Sequence, residues 1–157
     1  MVERAWVQVG SRRVSVHVAE LGLACCGIEV REARRAAELL GAGAGPGDGP
    51  GPGDGPGPGP VDGAGPGAAA ELNILVVAGT VTSRLASDLV RAYADLPEPR
   101  AVLAFGACAA TGGPYWDSYS VLPGAHEVIP VDAWVPGCPP RPQDLLAGLA
   151  EVLDARP

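Results

Sequence analysis

Ile74-Leu75-Val76-Val77-Ala78-Gly79 is an unbroken apolar run closed by glycine. A strand with one wet face alternates polar and apolar residues, whereas a run without polar breaks is buried on both faces, as in a parallel sheet covered by helices. The flanking patterns supply those helices. Upstream, residues 28–40 carry Ile28, Ala33, Ala36, Ala37, Leu39 and Leu40 among Glu and Arg, which predicts an amphipathic helix ended by Gly41. Before it, Val14, Val16 and Val18 alternate over 13–19 with the period of a strand. Downstream, residues 83–95 predict a helix with Leu85, Leu89, Val90 and Tyr93 facing inward and Thr82 as its cap. Ala101 to Phe105 is a further buried strand. Val128-Ile129-Pro130-Val131 is expected as a fourth strand, near an edge because of its proline. Residues 142–154 predict a last helix with Leu145, Leu146, Leu149, Val152 and Leu153 inward and Pro142 at its start. The order β-α-β-α-β-loop-β-α predicts an α/β fold with a mostly parallel sheet and right-handed crossovers.

Residues 41–70 are a different material, holding 13 of the 23 glycines and seven of the 17 prolines. Such a stretch has too little apolar area to offset its chain entropy, so it reads as a disordered Gly/Pro-rich linker. The chain is therefore expected to comprise a first β-loop-α unit over 1–40, the linker over 41–70, and the remainder of the same α/β domain over 71–157.

The chain has 157 residues, a net charge of −7 and 47% apolar residues. This suits one folded domain and argues against nucleic acid, which needs a basic surface. All eleven basic residues are arginine. No run approaches the 18 or so apolar residues of a membrane span, and Met1-Val2-Glu3-Arg4-Ala5-Trp6 lacks the apolar stretch of a signal peptide. The expectation is a cytosolic setting, where cysteines serve metals or catalysis more often than disulfides.

The four cysteines are Cys25, Cys26, Cys108 and Cys138. The first pair follows the first predicted strand, Cys108 the third and Cys138 the fourth. In open parallel sheets, sites form beyond the carboxyl ends of the strands, so all four thiols can converge on one edge. Gly106-Ala107-Cys108, Gly112-Gly113-Pro114 and Pro136-Gly137-Cys138-Pro139-Pro140 give them loop-like surroundings. Spacing alone leaves several readings open. Free cysteines pack like small hydrophobes. A zinc Cys₄ site usually uses Cys-x₂₋₄-Cys knuckles, absent here, and adjacent cysteines crowd one tetrahedral ion. An iron–sulfur cubane is larger, with corners that neighbouring residues can reach.

Gly22-Leu23-Ala24-Cys25-Cys26-Gly27-Ile28-Glu29 resembles the Gly-Leu-Ala-Cys-Cys-Ala-Ile-Glu signature of the complex I 20 kDa subunit family, the B-type subunits of NADH-quinone oxidoreductase. Val76-Val77-Ala78-Gly79-Thr80-Val81-Thr82 is similar to its second-strand motif, and Pro97-Glu98-Pro99-Arg100 to its Pro-Glu-Pro-Lys turn. Gly106-Ala107-Cys108, Gly112-Gly113, Tyr119-Ser120-Val121 and Pro130-Val131-Asp132-Ala133-Trp134-Val135-Pro136-Gly137-Cys138-Pro139-Pro140-Arg141-Pro142 resemble the rest. The resemblance spans 20–32 and 72–153. It implies a flavodoxin-like fold with helices on both faces of the sheet. It implies one [4Fe–4S] cluster held by Cys25, Cys26, Cys108 and Cys138, with no nucleotide site. It further implies electron transfer to quinone beside a 49 kDa-type large subunit, in an assembly at the cytoplasmic side of the cell membrane that the chain joins peripherally, through its partners. Related small subunits serve membrane-bound nickel–iron hydrogenases, which is the alternative assembly.

The chain departs from the family pattern on the quinone side. Val30 and Arg31 stand where the family has Met-Met, one of which belongs to the quinone pocket. The linker replaces an Arg-Phe-Gly segment and an Ala-Ser-Pro-Arg-Gln-Ala-Asp segment, and Asn73 replaces an Asp. A second expectation is therefore an electron carrier or assembly partner without quinone chemistry. Glu29 fits either tuning and proton transfer at the cluster or a helix-start carboxylate. Tyr115, Trp116 and Tyr119 fit either the site's lining or a partner contact, with Asp117 beside them in an exposed ion pair. Arg141 fits either a charge near the cluster or a surface role. His17 and His126 read as structural. No Ser-His-Asp or paired-carboxylate constellation points to hydrolysis.

Overall fold

The computed structural model describes residues 2–9, 12–21, 25–39 and 71–155; the expected linker at 41–70 lies outside them. Five strands form one sheet: β1 (Val2–Val9), β2 (Arg12–Leu21), β3 (Leu72–Gly79), β4 (Arg100–Phe105) and β5 (Ala133–Val135), in the spatial order β1-β2-β3-β4-β5. β2 through β5 are parallel, with Val14 opposite Leu72, Asn73 opposite Arg100 and Leu103 opposite Ala133. The helices are α1 (Cys25–Leu39), α2 (Ala86–Ala94), α3 (Ala107–Thr111) and α4 (Pro142–Asp154). This is the expected α/β, flavodoxin-like architecture, mostly parallel with helices on both faces.

Side-chain parity along the strands divides the core. Val16, Ile74, Val76, Leu103 and Phe105 face α1 and α4, where Val30, Ala33, Leu149 and Val152 meet them. Leu75, Val77, Val102 and Ala104 face the other way, toward Leu89 of α2. Every residue of β3 is buried, which is why 74–78 has no polar break. Each such aliphatic side chain contributes about 1.5–3 kcal/mol by leaving water.

Three expectations are corrected, and a further strand is added. Residues 128–131 are not a strand. They leave a 3-10 turn at Ala125–Glu127, and the Val128 and Ile129 N–H groups both donate to the Ala125 carbonyl at 3.1 Å. The apolar character of Ile129 serves the second face of the core instead. The strand is β5, which begins two residues past Val131. Secondly, α1 begins at Cys25, not at residue 28. Thirdly, α2 begins at Ala86; Thr82 closes a preceding turn, its Oγ1 accepting from Leu85 N–H at 3.3 Å, and Val90 is exposed. Lastly, β1 pairs antiparallel with β2, from Val2 opposite Ala19 to Val9 opposite Arg12. A flavodoxin-like order of 2-1-3-4-5 gives that edge to a parallel strand. Here the N-terminal hairpin holds it.

Candidate metal centre

Because β2, β4 and β5 run parallel, their carboxyl ends lie on one edge of the sheet, and the cysteines follow those ends. Cys25 and Cys26 open α1 just after β2; Cys108 and Cys138 each stand three positions beyond the last residue of their strands, Phe105 and Val135. All four are free thiols, with Cys26 and Cys108 buried and Cys25 and Cys138 exposed. Adjacent cysteines thus point differently: Cys26 is part of the core beneath α1, while Cys25 opens to solvent.

The other three thiols lie within electrostatic range of Cys26. Burial pushes the Cys26 thiol up to about 12, reinforced by the charge of Cys25, by a hydrogen bond with Cys25, and by the charges of Cys108 and Cys138. All three other thiols therefore act electrostatically on one buried sulfur. Among the described residues, no three or more His, Cys, Asp or Glu side chains are grouped so as to hold a single metal ion.

Two glycines make the room. Gly106, with φ +92°, stands where a Cβ would lie 2.5 Å from Cys26 Sγ. Gly113, with φ +57°, stands where a Cβ would lie 2.9 Å from Cys108 Sγ. Any other residue at either position collides with a thiol and adopts a backbone conformation that L side chains avoid. The two later loops are also tied to each other. Gly106 N–H donates to the Val135 carbonyl and Ala107 N–H to the Gly137 carbonyl, both at 2.8 Å. The segments bearing Cys108 and Cys138 are thus fixed as one piece. The sequence joins Gly106 to Cys108 in one word, whereas in three dimensions Gly106 makes room for Cys26. No local signal carries that pairing, because it arises from packing across the sheet.

The remaining candidates fall elsewhere. Glu29 is half-buried and is the fifth residue of α1, past the first turn, so the helix-start reading lapses. Tyr115, Trp116, Asp117 and Tyr119 are exposed on the loop beyond α3. Arg141 is exposed before α4, its N–H donating to Asp144 Oδ2 at 2.8 Å. His17 lies on β2 with Nε2 3.0 Å from Ser15 Oγ, and His126 lies 3.5 Å from Glu127. Neither histidine joins the thiols.

Three free-thiol segments, a pair of buried sulfurs and two obligatory glycines fit a group larger than one ion. Residues 55–152 match the family "NADH ubiquinone oxidoreductase, 20 Kd subunit". The chain belongs to that family. It is 43% identical over 142 residues to the second of the B-type NADH-quinone oxidoreductase subunits of Streptomyces griseus, covering 90% of this chain and 53% of the relative. It is 42% identical over 139 residues to the first B-type subunit of the same enzyme in Salinispora tropica, covering 88% and 64%. Alignments of that length in a chain of 157 residues necessarily take in Cys25 and Cys26, which the family match at 55–152 leaves out. The chain spans about half to two thirds of the length of these relatives. A solved chain of the membrane-bound sulfane sulfur reductase, an archaeal respiratory membrane complex, matches at 33% identity over 52% of this chain and 46% of its own, with a TM-score of 0.49. Among the described residues, no helix is long and apolar enough to cross a membrane.

Proposed function

We propose that Cys25, Cys26, Cys108 and Cys138 hold one [4Fe–4S] cluster, and that the chain is the electron-transfer subunit of a complex I-like NADH-quinone oxidoreductase. The observation that carries the reading is that all four cysteines follow the carboxyl ends of parallel strands, with Gly106 packed against the Cys26 sulfur and Gly113 against that of Cys108. A single tetrahedral zinc draws its four sulfurs to about 3.8 Å of one another. Neighbouring residues of which one is buried and one exposed suit separate corners of a larger group better. When bound, such a cluster takes up and gives back single electrons.

The chain's own residues prepare the site. Cys26 must lose its proton to become a ligand, and the burial that raises its pKa also withholds it from water and oxidants. Gly106 and Gly113 keep the volume beside two sulfurs free of side chains. The exposed Cys25 and Cys138 mark the side from which a partner subunit approaches. That partner is a 49 kDa-type large subunit, and the assembly lies peripherally at the cytoplasmic side of the membrane.

One observation favours the second reading, a carrier or assembly partner without quinone chemistry. Val30, in the place of a family methionine, is buried in the core beneath α1, and Arg31 is exposed, so neither supplies a thioether to a pocket. Anaerobic iron–sulfide reconstitution of the full chain, followed by EPR of the reduced protein, tests the cluster. The expected signal is lost in Cys108→Ser; a zinc-only product, or a signal indifferent to that change, overturns the assignment. Reoxidation of the reduced chain–large-subunit complex by a soluble ubiquinone analogue separates the two readings.

A further inference from the structure

Tyr115, Trp116 and Tyr119 fall within five positions of one loop, and all three are exposed; Trp116 is 72% and Tyr119 102% exposed. The chain has only seven aromatic residues. A domain short of aromatics that needed these for its core would bury them, as it buries Phe105 completely. The loop is nonetheless held in place. Ser83 N–H donates to the Ser120 carbonyl at 2.9 Å, Leu122 N–H to the Val81 carbonyl at 2.8 Å, and Thr82 bridges to Val121. The rings are therefore presented on a fixed frame. That frame is continuous with the candidate metal centre, because Gly113 at the loop's start packs against Cys108.

Charge says what the surface fits. Between Arg100 and Arg141 the chain carries no lysine or arginine, and the loop itself carries the exposed carboxylate Asp117. Elsewhere the chain lays its own guanidinium groups on its aromatic rings, Arg4 over Trp6 at 4.9 Å and Arg100 over Tyr93 at 4.3 Å. The 113–120 loop has no arginine of its own to do this; Arg84, one residue past the Ser83 that bonds Ser120, stands at its rim. An electron-rich, acidic surface of this kind is completed by cations from outside, and Trp with a facing Arg is a favoured pairing at interfaces.

We propose that the 113–120 loop is the docking epitope for a partner subunit that presents arginine side chains, with Trp116 and Tyr119 as its anchors. The proposal rests on the reading of the chain as an electron-transfer subunit and adds the surface and chemistry by which it is joined to its neighbour. Docking there brings the partner's groups beside Cys108.

The test uses the reconstituted full chain and, as probe, the purified 49 kDa-type large subunit from the same genome, by calorimetric titration at low and high salt. Trp116→Ala is expected to weaken binding by roughly tenfold or more. Asp117→Arg is expected to weaken it and to flatten its salt dependence. Unaltered thermal melts and EPR signals in both variants show that fold and cluster persist. Binding that ignores Trp116→Ala, or no binding by a chain with a normal EPR signal, overturns the proposal and leaves the cluster reading standing. Absence of the EPR signal from the unaltered chain instead overturns the cluster reading. Trp116-dependent self-association in sedimentation, or Trp116-dependent binding to phosphatidylcholine–phosphatidylglycerol vesicles, without binding of the large subunit, also overturns the docking proposal.

Discussion

Gly106 and Cys26, 80 positions apart in the chain, are in such close approach that a single carbon added to Gly106 would lie 2.5 Å from the Cys26 sulfur. The contact is backbone against thiol, and neither side yields easily. Gly106 is pinned through its N–H to the Val135 carbonyl and through its own carbonyl to Ala110 N–H. Cys26 is pinned by the core beneath α1. The φ of +92° and ψ of 162° at Gly106 belong to a region essentially reserved for glycine. Gly106→Ala is therefore expected to destabilise the chain by about 1–3 kcal/mol. It is also expected to lower the iron and sulfide bound after reconstitution several-fold. Urea denaturation and metal analysis check the two effects, and full loading of the variant would show that the Cys26 sulfur can give way to the added carbon without loss of the site.

Gly113→Ala differs in degree for a physical reason. Its added Cβ would lie 2.9 Å from Cys108 Sγ and 3.0 Å from Cys108 N, with φ at +57°. The left-handed conformation costs about 1–2 kcal/mol in a residue with a side chain. Yet φ of +57° at Gly113 lies in the left-handed region that other residues do visit, whereas Gly106 lies in a region essentially reserved for glycine. The expected result is a stability loss of that size with cluster loading reduced less than in Gly106→Ala. Parallel reconstitution of both variants checks the ranking.

How far these relations are legible in the sequence depends on their range. α4 is expected at 142–154 and found at Pro142–Asp154, because a long periodic helix with proline at its start carries its own signal. β3 is legible from its unbroken run. The strand expected at Val128–Val131 is absent because a short apolar run reads alike whether it pairs in a sheet or packs as a turn; β5 has only the triplet Ala133-Trp134-Val135 to announce it. β1 carries a usable signal, alternating residues on either side of Gly10-Ser11, a two-residue spacing typical of hairpins. That the cysteines follow the ends of parallel strands is legible from element order, although the strand before Cys138 lies later than expected. The Gly106–Cys26 contact is not, since it depends on how α1 seats across the sheet.

Asp132 offers a prediction at the start of the strand that leads to Cys138. Its Oδ2 accepts the Val102 N–H at 2.7 Å, while its own N–H donates to the Val102 carbonyl at 2.9 Å. Val102 is fully buried, so removing the carboxylate leaves an N–H without water to replace it. Asp132→Ala is expected to cost about 1–3 kcal/mol, whereas Asp132→Asn, which keeps an acceptor oxygen, costs less. Chemical denaturation of the three proteins checks the order. Equal losses in both variants would assign the effect to charge and not to the bond.

His17 supplies the pH dependence. It faces Arg4 across the β1–β2 pair, with Ser15 Oγ 3.0 Å from both His17 Nε2 and Arg4 Nε. Burial lowers its pKa below 6.5, the Arg4 guanidinium lowers it further, and a hydrogen bond with Asn73 opposes them in part. The folded chain thus holds His17 neutral at pH values where the unfolded chain already binds a proton. The stability associated with a neutral His17 is fully present above pH 6.5 and is lost as pH falls through the lower, folded value. His17→Gln keeps a hydrogen-bonding side chain and removes the titration. Urea midpoints measured on the apo chain at pH 7.5 and pH 5.5 should fall more steeply for the parent than for the variant, with carboxylate effects common to both cancelling. Identical slopes would show that His17 is open enough to charge freely in the fold.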